Sequence, residues 1–270
     1  MKKVAFVGGG NMAEAILGGL LRRQTVQAGD ILVSEKSLER RKYLEQSYQI
    51  ETAEDNKIAP QQADTLLLAV KPYHLDEVKE ELRPYLTSEH TIISILAGKS
   101  RERLANALGF PESIVRVMPN LAAQVGRGIS AITFPEEMSE ERREWVRTIL
   151  RSVGEVVEVP EPLQDVVTAV SGSGPGFLFY LAQHWIAAGV DQGLDERTAR
   201  LLVTETMAGA AEVLRQRSDS PEELVRKVAT PGGTTEAGLK VLQEANLAQI
   251  MKNTVDSATR RSRELNESAG

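Results

Sequence analysis

The chain has 270 residues and a mass of 29.6 kDa, enough for one large domain or two ordinary ones with a sizeable core. Its net charge of −6 argues against a broad nucleic-acid surface, which needs clustered basic side chains to displace counterions, so small-molecule chemistry is the better expectation. Cysteine is absent, which excludes disulfides, thiolate metal sites and a cysteine nucleophile, and the scattered His74, His90 and His184 make no metal cluster.

The run that follows Met1-Lys2-Lys3 is too brief for a signal-peptide core. No later apolar run approaches the roughly 18 residues of a membrane span, so a cytoplasmic chain with no membrane partner is expected. Val4 to Val7 read as a strand that ends in Gly8-Gly9-Gly10-Asn11-Met12-Ala13, and an amphipathic helix follows through Ala15, Ile16, Leu17, Leu20 and Leu21. Gly8, Gly10 and Ala13 fit the dinucleotide fingerprint: one glycine for the turn, one for close approach of a pyrophosphate, and a small residue for helix-on-strand packing. Ile31 to Ser34 read as the second strand and Leu38 to Tyr48 as a helix. The residues after that second strand choose between cofactors, since an acid binds the ribose 2′-hydroxyl of NAD and basic groups accommodate the 2′-phosphate of NADP. Here Glu35 is followed by Lys36, Ser37, Arg40 and Arg41, a mixed signal that also fits a solvated charge run at a helix start.

Thr65 to Val70 read as a buried parallel strand stopped by Lys71-Pro72, Asp76 to Leu86 as a helix and Thr91 to Ile95 as a strand. Arg101 to Leu108 read as a helix and Ile114 to Met118 as a strand ending at Pro119-Asn120. Strands and helices alternating in this way imply an α/β fold, a doubly wound and mainly parallel sheet of Rossmann type, with ligands beyond the carboxyl ends of the strands. Gly8 to Gly10, Ser34 to Ser37, Val70 to Pro72, Ala97-Gly98 and Pro119-Asn120 then fall along one edge, the expected cofactor cleft, with Ala69 among the expected cofactor-binding residues.

Pro160 and Pro162 mark a change, and two domains are expected: 1–161, dinucleotide-binding, and 162–270, all-helical. The small-residue stretch from Ser171 to Gly176 reads as a loop between core helices whose free backbone N–H groups a ligand can also reach. The helix from Phe177 to Val190 is apolar on nearly every face, so a second subunit is its expected cover. Helices are expected over Glu196 to Gln216, Glu222 to Ala229, a short stretch through Leu242, and Leu247 to Leu265. The turn Thr230-Pro231-Gly232-Gly233-Thr234-Thr235 precedes Glu236. It presents backbone N–H groups at a helix start, suited to a small carboxylate or to an ordinary threonine N-cap.

Taken together, Gly8 to Ala13, Ala69-Val70-Lys71-Pro72, Met118-Pro119-Asn120, Ser171 to Pro175 and Pro231 to Thr235 resemble the pyrroline-5-carboxylate reductase family along nearly the whole chain. The resemblance implies an N-terminal Rossmann domain and a C-terminal helical domain that interlocks with its partner's in a homodimer, with rings of dimers common. It implies reduction of 1-pyrroline-5-carboxylate to L-proline by NAD(P)H, with NADPH preferred and NADH usable. It also implies that Gly233, Thr234 and Thr235 hold the substrate carboxylate, the Thr235 hydroxyl facing the ring nitrogen as the catalytic group. Ser171, Ser173, Gly174 and Pro175 would shape the opposite wall. Gly10, Asn11 and Met12 would carry the pyrophosphate, Asn56 the adenosine half, and Val70, Lys71 and Pro72 the nicotinamide side. The chain departs from the family pattern at Leu121-Ala122, Glu205, Thr230, Gly176-Phe177 and Glu35-Lys36. A second reading, a paralogue with reduced catalysis that binds nucleotide as a regulator, rests on Leu121, Ala122 and Glu205. Another Rossmann dehydrogenase, of hydroxy acids or imines, would want a catalytic lysine or acid in the helical domain, and the helix after the Ser-Gly-Ser stretch has no lysine.

Overall fold

The computed structural model describes residues 3–267, the last without its side chain; Met1 and Lys2 lie outside them. The chain divides into two compact units, one of residues 1–173 with 257–270 and one of residues 174–256.

The first unit is built on an eight-stranded sheet in the order β3-β2-β1-β4-β5-β6-β7-β8. Its strands are β1 Val4–Val7, β2 Ile31–Ser34, β3 Glu51–Ala53, β4 Thr65–Leu68, β5 Thr91–Ser94, β6 Ile114–Met118, β7 Gly128–Thr133 and β8 Gly154–Glu158. Every pairing is parallel except β6 with β7. The helices of this unit are α1 Asn11–Arg22, α2 Leu38–Tyr48, α3 Ile58–Gln62, α4 Leu75–Leu82, α5 Arg101–Leu108, α6 Glu140–Arg151 and α7 Gln164–Val167.

Successive strand residues point to opposite faces, and the two cores follow that period. Val4, Phe6, Ile31, Val33, Leu67, Ile93 and Val115 bury on one face against α1, Leu44 of α2, and Val146, Ile149 and Leu150 of α6. Ala5, Val7, Leu32, Leu66, Leu68, Ile92 and Ile114 bury on the other against Ala59, Leu75, Val78, Leu82, Leu104 and Leu108. Each such aliphatic side chain contributes about 1.5–3 kcal/mol on full burial, which is why these strands are continuous apolar runs and not alternating ones. Ser37, Ser100 and Ser139 cap α2, α5 and α6 by accepting from backbone N–H groups one turn in, and these helices start where those residues stand.

The second unit contains α8 Gly174–Asp191, α9 Glu196–Gln216, α10 Pro221–Val228 and α11 Thr234–Glu244. The last described helix is α12, Leu247–Glu267, whose residues from Ser257 onward belong to the sheet unit. The compact units part at 173/174. The cause is local: Gln164 is wholly buried and donates to Thr133 Oγ1 on β7 at 2.9 Å, so α7 packs as part of the sheet unit.

Candidate active site

The strand order reverses between β1 and β4, and in open parallel sheets ligands bind beyond the strand ends at such a point. A cavity of about 340 Å³ lies there, lined by Gly8 and Gly10, by Ser34, Glu35 and Lys36, by Asn56, by Ala69, Val70 and Lys71, and by His74, Glu77 and Val78. Gly8 has φ +96°, and a Cβ on it would stand 3.0 Å from the carbonyl atoms of Ala69, so glycine is what lets the two strand ends meet. Gly10 is the opposite case, with nothing within 4 Å of the place of a Cβ. It is also the N-cap of α1, where no side chain bonds the first backbone N–H groups. Those donors, at the positive end of the helix dipole and under open space, fit a pyrophosphate. Ala13 is wholly buried and Met12 packs on the same core. Asn11 opens instead into a second cavity of about 330 Å³ with Glu14, Arg22, Tyr48 and Gln124. Pro72 starts a short 3₁₀ turn, and Asn120 accepts from the Ile129 N–H at 3.2 Å. Neither lines the cleft cavity.

The charges after β2 are closely paired. The Glu35 carboxylate accepts from the N–H groups of Gly9 and Ser37, each at 2.9 Å. Lys36 ion-pairs with Glu77, and with Glu81 at 3.1 Å. The other Glu81 oxygen accepts from Asn56 Nδ2 at 2.6 Å. His74 Nδ1 lies 3.2 Å from Glu77. Hydrogen bonds to Glu77 and Glu81 push the Lys36 pKa up, and the bond from Lys36 holds Glu77 below the usual carboxylate range. Arg40 donates to Gly9 O at 2.6 Å and pairs with Glu14. Arg41 donates to the carbonyls of Glu35 and Lys36 and pairs with Glu54 at 2.9 Å. Each cation that the sequence offers to a 2′-phosphate already has an acidic partner.

The stretch expected as a loop between core helices is not one. Thr168–Gly172 forms a π-helical turn that continues α7, and Gly174 opens α8 directly. The Ser171 hydroxyl donates to Val167 O at 3.1 Å and the Ser173 N–H to Thr168 O at 2.8 Å, so the Ser173 N–H is not open to a ligand as expected. Pro175 is tolerated because the first turn of a helix has no carbonyl to which its missing N–H would bond. A Cβ on Gly172 would come 2.6 Å from Met118 Cε, so the turn lies against the carboxyl end of β6. A buried charge cluster fixes it there. Arg116 of β6 is 4% exposed and pairs with Glu161 at 2.7 Å and Asp165 at 3.7 Å. Asp165 in turn accepts from Ser262 at 2.6 Å and Asn266 at 2.9 Å. Single-turn π segments inside helices occur frequently at functional sites.

In the helical unit Gly232 has φ +71°, and the Gly233 N–H donates to Thr230 O at 2.9 Å. Gly233 is then the N-cap of α11 with no side-chain cap, so the expected threonine cap is not made; Thr234 and Thr235 are exposed in its first turn. Glu236 accepts from the Gly232 N–H at 2.7 Å, so its carboxylate braces the turn.

A family model described as pyrroline-5-carboxylate reductase dimerisation matches residues 161–265, and one described as NADP oxidoreductase, coenzyme F420-dependent, matches residues 3–98. A pyrroline-5-carboxylate reductase of Synechocystis is 39% identical over 97% of this chain and 98% of its own length. The chain belongs to the pyrroline-5-carboxylate reductase family. A solved reductase of this name from Coxiella burnetii superposes with a TM-score of 0.91 at 33% identity, covering 98% of both chains. The Plasmodium falciparum pyrroline carboxylate reductase, solved with NADP bound, gives 0.88 at 26% identity, again over 98% of both.

Against the family pattern, Leu121 opens a 3₁₀ turn, Leu121–Val125, and is 45% exposed. Glu205 is exposed on α9, and Gly176 and Phe177 stand in the first turn of α8. His74, Glu77 and Glu81 are the neighbours of the cleft residues that sequence reasoning missed. Glu77 and Glu81 did carry a signal, since residues four apart share one face of a helix, but nothing in the sequence says that this face meets Lys36.

Proposed function

We propose that this chain reduces 1-pyrroline-5-carboxylate to L-proline, with a reduced nicotinamide dinucleotide as donor. When bound, that cofactor supplies a hydride for the C=N carbon of the ring. Gly8, Gly10, Asn11, Met12 and the N-terminus of α1 hold the pyrophosphate, Asn56 the adenosine half, and Ala69, Val70, Lys71, Pro72 and Asn120 border the nicotinamide side. Ala13 serves through helix-on-strand packing. The backbone N–H groups of Thr234 and Thr235 bind the substrate carboxylate, with Gly233, whose own N–H is taken by Thr230 O, as the N-cap that leaves them open. Ser171, Ser173, Gly174 and Pro175 shape the site's other wall. A cyclic imine is already electrophilic, so alignment and one hydrogen bond to its nitrogen suffice, and the Thr235 hydroxyl makes that bond while the nitrogen takes its proton from solvent water. In this reading residues 1–161 carry the cofactor, while 162–270 carry substrate and the self-association surface.

NADPH is the preferred donor and NADH is usable; Lys36 is the residue that meets a 2′-phosphate, as a point charge and not as a fork. The chain acts in the cytosol as a homodimer, which can assemble further into rings. The described residues contain no helix long and apolar enough to cross a membrane. A single observation carries the proposal: one chain combines a glycine turn opening onto the uncapped start of α1 with an uncapped α11 start at Gly233. The test is absorbance-monitored oxidation of NADPH and of NADH in the presence of the pyrroline. Turnover with both, faster with NADPH, is expected; no oxidation of either overturns the reading. Lys36→Ala should raise the KM for NADPH far more than that for NADH.

A further inference from the structure

The acids of α4 stand where a cofactor's 2′-phosphate would have to arrive. Lys36 follows β2 at the position that discriminates between dinucleotides, and it is held by Glu77 and Glu81, one helical turn apart on α4. Glu81 is itself fixed from the other side by the buried Asn56, which also lines the cleft. Arg40 and Arg41, the other cations nearby, are turned into Glu14 and Glu54. An arriving phosphate therefore meets one lysine already neutralised by two carboxylates.

We propose that Glu77 and Glu81 are specificity-determining residues for the dinucleotide: by holding Lys36 they weaken its pull on a 2′-phosphate and keep NADH in competition with NADPH. The inference rests on the reductase reading only for the identity of the cofactor. The Lys36 and Glu77 side chains are 53% and 51% exposed, so their pair is weak enough for a phosphate to exchange into it. Each displaced carboxylate stays near the phosphate and repels it through a Coulomb term that solvent reduces without removing. A ribose 2′-hydroxyl is uncharged and meets no such repulsion. The device sets a ratio between two cofactors more than an affinity for either.

The test titrates the full-length protein calorimetrically with adenosine 2′,5′-bisphosphate and with adenosine 5′-monophosphate, which differ only in the 2′-phosphate. In Glu77→Gln/Glu81→Gln the affinity ratio should move toward the bisphosphate by about three- to tenfold at low salt. The gain should shrink in high salt, where the Debye length falls to about 3 Å. A Glu77→Gln single variant, which leaves the bond between Glu81 and Asn56 intact, should give a smaller shift of the same sign and covers misfolding of the pair. The same substitutions in a Lys36→Met background should give a clearly smaller gain, since only the direct repulsion is then removed. An unmoved ratio overturns the proposal, and so does a full gain in the absence of Lys36, which would make the acids act by direct repulsion alone. These titrations need no pyrroline: absent turnover with intact nucleotide discrimination would strike the reductase reading and leave this one standing.

Discussion

In the sheet unit Phe6, Leu17, Leu67 and Ile92 have no exposure at all, whereas in the helical unit Phe179, Tyr180 and Leu201 are 60–65% exposed. Among the described residues of that second unit only Ala199 and Val203 are buried. Both units are rich in apolar residues, so composition does not separate them. The sheet unit finds the complement of each apolar face within its own chain, helix against strand on both sides. The helical unit leaves much of α8 and α9 uncovered, around an apolar hollow of about 770 Å³ that includes Phe179, Ile186, Val190 and Met207. Exposed apolar surface on this scale marks an interaction face, and it lies within the stretch matched by the dimerisation family model. The stability of the first unit is then a property of the chain, and that of the second a property of its concentration.

The strongest way to break this comparison is a charge on α8. Trp185→Asp should abolish the dimer and lower the melting temperature by more than 10 °C, roughly the effect of several kcal/mol. Sedimentation velocity at micromolar concentration checks it, and a wild-type chain that runs as a folded monomer would refute the contrast altogether. The wild-type melting temperature should also fall on dilution.

A core truncation sharpens the contrast. Leu67→Ala, on a central strand, should cost about 2–5 kcal/mol. That loss should be the same in dilute and concentrated samples, while the loss from Leu178→Ala on α8 should grow with dilution. Equal concentration dependence of the two in chemical denaturation would mean that the units share one mode of burial.

Fold and site were legible to different degrees. The ranges Leu38–Tyr48, Arg101–Leu108 and Glu196–Gln216 follow from the sequence because each has a Ser or Asp cap at its start, and α5 and α9 also carry a periodic apolar face, whereas α2 buries only Leu44. The Ser-Gly-Ser stretch misleads, since Gly and Pro signal a turn locally while packing against Met118 makes it a π-helical segment. β3 carries almost no signal, being three residues with none fully buried. β7, α6 and β8 are absent from the sequence reading. Yet α6 had a serine cap and Val146, Ile149 and Leu150 at helical spacing, whereas β8 is an edge strand with glutamates at both faces of its apolar pair. In the site, the glycine turn is visible because its chemistry is local. The grip of Glu77 and Glu81 on Lys36 is not, because only the fold brings α4 beside the end of β2.

Smaller effects probe each unit separately. In the helical unit Thr235→Val should lower kcat about ten- to a hundredfold, as for one hydrogen bond that strengthens in the transition state. Thr235→Ser should keep most activity, and binding of proline should fall much less than turnover. A valine variant as fast as wild type would leave the α11 turn only its carboxylate. In the sheet unit Glu14 accepts from Tyr43 at 2.9 Å and Tyr48 at 2.8 Å and pairs with Arg40. Burial raises its pKa, but the bonds from Arg40, Tyr48 and Tyr43 outweigh that and hold it below the ordinary 4.5. Burial and the same carboxylate push the Tyr48 phenol up to about 12. A depressed carboxyl stabilises above its unfolded pKa, and the contribution is lost as pH falls through the folded value. Glu14→Gln should therefore cost about 1 kcal/mol near neutrality and flatten the stability loss below pH 4.5. Denaturant melts across that range would reveal it.

The sheet unit is closed by residues far along the chain from those they bond. Arg103 donates to the carbonyl of Asn266, 163 positions away, at 3.0 Å, and Gly98 lies against Leu265 with only 3.1 Å between the place of its Cβ and the Leu265 Cβ. Ser262 and Asn266 satisfy Asp165 beside the buried Arg116. During synthesis β1 to β8 and their helices emerge before these partners, and at about 5–20 residues per second Asp165 waits several seconds for Ser262 and Asn266. Until then the Asp165 carboxylate has Arg116 but neither of these two donors. Loss of residues 262–266 would therefore be felt first at Asp165 and Arg103, far earlier in the chain.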